Sequence, residues 1–154
     1  MEKYAVLCGG GNNHRYNLAD GAMIKDNHIA EMKRNDESPT FQSMVSGIRQ
    51  NNSEAQIVLE IDELNQLSEA LQSGTDVILL DNFSAEELRL AVLKTKDQPK
   101  CHRPLLEASG GVTLDGVKEI AASGVDRISI GALTHAAQSL DLGLDFDESQ
   151  TDHG

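Results

Sequence analysis

The sequence predicts an α/β chain: a partial (β/α) barrel of about five βα units. Three observations carry this prediction. Short β-prone runs alternate with helix candidates, the alternation repeats along the chain, and chemically capable side chains recur just past the end of every run. Consecutive βα units imply a parallel sheet with helices on its outside. A barrel collects its functional groups at the rim where the strands end, and commonly holds phosphate in the loops after the last two strands. A doubly wound sheet would concentrate such groups at one switch point. Their spread over every strand favours the barrel.

Taken in order, the first β-prone run is Ala22-Met23-Ile24, which ends in Lys25-Asp26-Asn27-His28. Phe41, Met44, Val45 and Ile48 then fall on one helical face. The second run, Ile57-Val58-Leu59, ends in Glu60-Ile61-Asp62, and Leu64, Leu67 and Leu71 line the next helix. The third, Val77-Ile78-Leu79-Leu80, ends in Asp81-Asn82. Ser84 with Glu87 forms a capping box opening a helix that carries Leu88, Ala91 and Val92. Pro104-Leu105-Leu106 leads to Glu107-Ala108-Ser109-Gly110-Gly111. Thr113 caps a helix holding Val117 and Ile120, with Gly124 as its stop. The last run, Ile128-Ser129-Ile130, leads through Gly131 to His135. No sequence-level repeat is evident.

The 154 residues suffice for one domain with a real core, here residues 1–146, followed by an acidic, solvated tail at 147–154. Apolar content is ordinary and no run approaches the roughly 20 residues of a membrane-spanning helix. No membrane partner is expected. Met1-Glu2-Lys3 leads straight into a mixed segment, so no secretory leader is expected either. Cys8 and Cys101 form no CxxC and stand far apart, which suits reduced thiols in the cytoplasm. The net charge of −12 argues against a nucleic-acid partner, because phosphate contacts need a basic face.

Against that acidity, His14, Arg15, Lys25 and His28 cluster within one short stretch. His14, Arg15 and Lys25 suit a carboxylate or phosphate ligand; the plainer reading is a solvated loop pairing with Asp20 or Asp26. His28 fits a site or a structural hydrogen bond equally well. The preceding Cys8-Gly9-Gly10-Gly11 is no dinucleotide fingerprint, since no clear strand precedes it. Glu60 and Asp81 each follow an apolar strand run, on neighbouring strands and at the same height by this reading. Carboxylates so placed attract Mg²⁺, unless a nearby Lys or Arg neutralises them. Glu107 reads as structural. Gly110-Gly111 and Gly131-Ala132 let backbone N–H groups approach an oxyanion, and His135 could donate to a phosphate or serve as a cap. Nothing resembles a nucleophile elbow, a CxxC metal site or a Ser/His/Asp triad. The residues alone point to a site for an anionic, phosphorylated substrate.

CGGGNNHRYNL, AMIKDNHI, ILLDNFS, LLEASGGVTL and ISIGALTH resemble, in order and spacing, the quinolinate phosphoribosyltransferase family, from about Tyr4 to about Phe146. The resemblance implies the barrel of type II phosphoribosyltransferases. It also implies phosphoribosyl transfer from 5-phosphoribosyl 1-pyrophosphate to quinolinate with decarboxylation, giving nicotinate mononucleotide for NAD synthesis. By motif, His14, Arg15 and Lys25 face the dicarboxylate and the donor. Glu60 and Asp81 hold ribose hydroxyls and Mg²⁺, with Lys25, Glu60 and Asp81 as the catalytic set. Ser109, Gly110, Gly131 and His135 line the 5-phosphate site. Family members form homodimers or larger homo-oligomers and are about twice this length. They carry an N-terminal sandwich domain and early barrel strands with an Arg-Lys motif absent from this sequence. Val58 stands where the family often has a second glutamate. Two alternatives follow: an inactive fragment that binds phosphate or pairs with a full-length homologue, and the paralogue associated with molybdenum transport.

Overall fold

The computed structural model of the chain describes residues 2–13, 21–34, 40–96, 103–135 and 141–144. Five strands form one parallel sheet: β1 (Gly21–Ile24), β2 (Gln56–Ile61), β3 (Val77–Asp81), β4 (Leu105–Ser109) and β5 (Arg127–Ile128). Helix α1 (Glu2–Cys8) precedes the sheet. Helices α2 (Asp26–Arg34) and α3 (Phe41–Asn51) follow β1, and α4 (Leu67–Gln72) follows β2 after a 3₁₀ turn at Leu64–Gln66. Helices α5 (Ala85–Thr95), α6 (Val117–Ala122) and α7 (Ala132–His135) follow β3, β4 and β5. The spatial order β1-β2-β3-β4-β5 is the sequence order, and all four pairings are parallel. Right-handed crossovers that always advance in one direction put the connecting helices α2–α6 on one face. The opposite face is left as the inside of an arc, as a barrel segment requires. A doubly wound sheet would reverse direction once; this one does not.

Period-two alternation divides the side chains between the two faces. Ile24, Leu59, Ile61, Ile78, Leu80, Leu106 and Ala108 point outward and pack on Phe41, Val45, Leu67, Ala70, Leu88 and Ala91 of the helices, forming the main core. Val58, Val77 and Leu79 form a smaller apolar patch on the inner face, with Met23 and Leu105 against it. Strands apolar on both faces at this depth explain the unbroken runs that the sequence shows.

Local signals work as expected in most places. The Ser84–Glu87 capping box is present, each side chain meeting the other residue's backbone. Thr40 caps α3 by accepting from the Ser43 N–H at 3.1 Å. Thr113 does not cap α6 as expected: the N-cap is Gly116, which makes no side-chain cap bond, and Thr113 instead accepts the Gly116 N–H at 3.1 Å one turn earlier. Gly124 ends that helix with φ +91°. The last strand is shorter than its apolar run, covering Arg127–Ile128, although the Ser129 N–H still reaches the Ala108 carbonyl at 2.8 Å. The glycine triplet has a plain local role. Gly9, Gly10 and Gly11 donate back to Ala5, Leu7 and Val6 at 2.9–3.0 Å, with Gly10 at φ +82°. These glycines end α1.

A repeated device closes the other end of the sheet. Ser73-Gly74-Thr75-Asp76 and Ser123-Gly124-Val125-Asp126 enter β3 and β5 alike. Asp76 exchanges bonds with Ile57: its carboxylate accepts the Ile57 N–H at 2.7 Å, and its own N–H reaches the Ile57 carbonyl at 3.0 Å. Asp126 does the same with Leu106, both bonds being 2.9 Å. Each aspartate also holds an arginine: Arg49 at 2.7 Å for Asp76, and Arg103 through two bonds of 2.6 and 2.7 Å for Asp126. The four-residue likeness is too brief to register as a sequence repeat, yet it performs one structural task twice.

Candidate active site

The site grows from the inner face, two residues at a time. Met23, Val58, Val77 and Leu105 form its apolar floor, following the strand register. Val58 is thus a floor residue. One layer up, Glu60 is level with Leu79, Leu79 with Glu107, and Glu107 with Arg127. Lys25, one residue past the Ile24–Leu59 pair, joins the same layer. A further layer up, Asp81 is level with Ser109.

The register corrects the expected placement of the two carboxylates. Glu60 and Asp81 are not at one height: Asp81 stands two residues further along, roughly 6.6 Å at strand rise. They nevertheless share a neighbourhood. Lys25 Nζ lies 3.6 Å from Glu60 Oε2, with side-chain exposures of 47% and 16%. Burial pushes the Glu60 carboxyl above its ordinary range; the Lys25 ammonium pulls it back, and the Asp81 and Asp26 carboxylates raise it again. The expected neutralising cation is therefore real and is Lys25. The remaining repulsion among the carboxylates is what a divalent cation would relieve, and two carboxylates plus ligand phosphates are ordinary Mg²⁺ donors. The donor set fits such an ion, although among the described residues no three His, Cys, Asp or Glu side chains converge on one point.

Asp81 is held in place by its neighbour. Asn82 has φ +57°, donates its amide to Asp81 Oδ2 at 2.8 Å, and sends its backbone N–H to the Ser109 carbonyl at 2.9 Å. This brings Asn82 against Gly110, whose φ is +91°. A Cβ on Gly110 would lie 2.7 Å from the Asn82 nitrogen, closer than atoms can sit. Gly111 follows at φ +57°. Gly110 is thus required by the packing of β3 on β4 before any ligand is considered, whereas a Cβ on Gly111 would meet open space. At the end of β5, a Cβ on Gly131 would lie 2.6 Å from His135 Nε2, so the imidazole is seated over Gly131.

Lys25, Glu60, Asp81, Ser109 and Gly110 thus lie on the inner face or at its rim, with Gly131 and His135 at the end of the last strand. His14 and Arg15 lie outside the described residues, as do Cys101 and the tail. His28 takes the structural option: its Nδ1 accepts the Lys25 N–H at 3.0 Å, fixing the turn from β1 into α2. Glu107, expected to be structural, is on the site face, where Ser129 donates its hydroxyl to it. Arg127 goes unremarked in the sequence, and Asn82 and Ser129, though read at the strand ends, receive no role there. Counting back by twos from Ser109 and Ser129 would have found Glu107 and Arg127.

The fold and site define a segment of a (β/α) barrel with a charged inner layer and glycine-lined ends on its last two strands. The chain belongs to the family described as quinolinate phosphoribosyl transferase, C-terminal domain, whose profile matches residues 1–145. It is 39% identical over 148 residues to a probable nicotinate-nucleotide pyrophosphorylase (carboxylating) of Methanocaldococcus jannaschii, covering 95% of this chain and 50% of that one. It is 41% identical over 145 residues to a probable enzyme of the same name from Bacillus subtilis, covering 94% and 47%. Among solved structures, the nicotinate-nucleotide pyrophosphorylase of Ehrlichia chaffeensis superposes with a TM-score of 0.76 at 40% identity, over 93% of this chain and 48% of that one. The chain spans about half the length of the curated relatives it matches.

Proposed function

We propose that this chain supplies the catalytic half of a phosphoribosyl transfer from 5-phosphoribosyl 1-pyrophosphate to quinolinate, with loss of CO₂, giving nicotinate mononucleotide and pyrophosphate. The observation that carries the reading is the Lys25–Glu60 pair below Asp81 on the inner face. It stands beside glycine-lined strand ends, in a chain of this family. The C1′–O bond to pyrophosphate breaks, the C1′–N bond forms, and the pair released when the carboxylate leaves as CO₂ is taken up by a proton. Bound Mg²⁺, held by Glu60 and Asp81, would neutralise charge on the donor's pyrophosphate. Glu60 and Asp81 accept ribose hydroxyl bonds and oppose the positive charge that develops at C1′. Lys25 pairs with a substrate carboxylate, helped by His14 and Arg15. Backbone N–H groups at Ser109-Gly110 and Gly131, with His135, take the 5-phosphate. Little covalent work is needed; positioning and electrostatics carry the rate.

The acting assembly is a homodimer or larger homo-oligomer in the cytoplasm, where exposed Cys8 remains a thiol. The reading is tested by nicotinate mononucleotide formation from the two substrates and Mg²⁺, with the N-terminal half of the Bacillus subtilis relative added in trans. Product that disappears in Lys25→Ala and Asp81→Asn supports it. No product with the added half, although the mixture binds pyrophosphate, favours a phosphate-binding partner without catalysis.

A further inference from the structure

The layer Lys25, Glu60, Leu79, Glu107, Arg127 crosses all five strands and is nearly symmetric in charge: cation, anion, apolar, anion, cation. The first pair is the one already described. The last has no part in the proposed reaction. Arg127 Nη1 lies 4.0 Å from Glu107 Oε2, and Glu107's other oxygen accepts the Ser129 hydroxyl. The Glu107 side chain is only 4% exposed, whereas that of Arg127 is 46% exposed. A carboxylate so deeply buried costs folding free energy unless it is bonded and paired. The guanidinium, with five donors in a planar fork, keeps capacity beyond one such carboxylate.

We propose that Arg127 is a second anion-binding arm of this site, positioned by Glu107, and that it takes a phosphoryl oxygen of the phosphoribosyl donor. The inference rests on the transferase reading for the identity of that donor. Its position separates its task from that of Lys25. Four strand spacings of about 4.8 Å part the two cations along the sheet, less across an arc. They cannot clamp one carboxylate together, but they can hold the two ends of a bisubstrate site. Glu107 keeps the guanidinium on the inner face and acts as a positioning residue.

The test is calorimetric titration of the full chain with inorganic pyrophosphate, and separately with ribose 5-phosphate, each with Mg²⁺. The comparison is between the unmodified protein, Arg127→Ala and Arg127→Lys. A lost charge-assisted contact weakens binding by about tenfold or more. The expected result is that loss in Arg127→Ala for one of the two ligands, with much of it restored in Arg127→Lys, each variant being titrated well below its own thermal midpoint because Arg127→Ala also unpairs the buried Glu107. A loss confined to pyrophosphate places the arm at the leaving group; a loss confined to ribose 5-phosphate places it at the 5-phosphate. Affinities for both ligands within twofold of the unmodified protein, or an unmodified protein that binds neither, would overturn the inference. The transferase reading is judged separately, by product formation with the added N-terminal half.

Discussion

At the residue scale, Glu60 and Gly110 have the sharpest consequences. Glu60 is raised above its ordinary pKa of 4.5, chiefly by burial. The folded chain therefore holds this proton more tightly than the unfolded chain does, so its contribution to stability is full below pH 4.5 and declines as pH rises through the folded value. Because Lys25 holds that value down, Lys25→Met is expected to move the Glu60 titration to higher pH. Carboxyl ¹³C NMR across the acid range reads this directly, and an unmoved or lowered titration would refute the assigned coupling. At Gly110, a side chain meets the Asn82 backbone at 2.7 Å in a left-handed conformation. Gly110→Ala is expected to cost at least about 2 kcal/mol in urea unfolding. Gly111 also has a positive φ, +57°, but open space around it, and Gly111→Ala should cost less. Equal losses would mean that strain, and not the Asn82 contact, decides.

At the scale of elements, the two aspartate clamps set how β2 meets β3 and how β4 meets β5. Arg103, by its hydrogen bonds, together with the Leu106 N–H holds the Asp126 carboxyl below its ordinary 3.8. A depressed folded value contributes stability above pH 3.8 that is lost as pH falls through the folded value. Asp126→Asn is expected to cost about 1–3 kcal/mol near neutrality and to flatten the loss of stability on acidification below pH 3.8. Urea midpoints at neutral and acid pH check both. A variant that is destabilised equally at neutral and acid pH would show packing, and not the charge, to be at work. Helices α3 to α6 needed no such long-range help to be legible, whereas α1 and α2 stand where the sequence shows only a mixed segment and a polar strand end. The Ser84–Glu87 box and Gly124 act on their own segments, and a segment's own residues announce them. The clamps escaped because each joins residues about twenty apart, through backbone groups that every sequence carries.

At the scale of the whole molecule, β1 is an edge strand among the described residues, and a groove of about 660 Å³ runs beside it between β1 and α3, lined by Met23, His28, Met44, Ile48 and Asn52. A parallel edge leaves backbone groups unpaired and open to another chain. The chain alone is accordingly expected to bind quinolinate weakly and to form nicotinate mononucleotide poorly or not at all. Activity should rise when the N-terminal half of the Bacillus subtilis relative is supplied. Full turnover by the isolated chain would show that the inner face visible here is already sufficient.

By itself, the sequence determined the alternation of strands and helices, the capping residues, the family, and the cluster of ligand-capable groups at the strand ends. Each is written in local spacing, which a 2.0- or 3.6-residue period converts directly into a face. Only the tertiary structure decided that Asp81 stands a layer above Glu60, that Glu107 and Arg127 share the Glu60 layer, that His28 braces a turn, and that the glycine triplet ends a helix. The physical reason is register. Which residue lies beside which across two strands depends on pairing and on contacts far apart in sequence, and a period along one strand carries no record of its neighbour's offset.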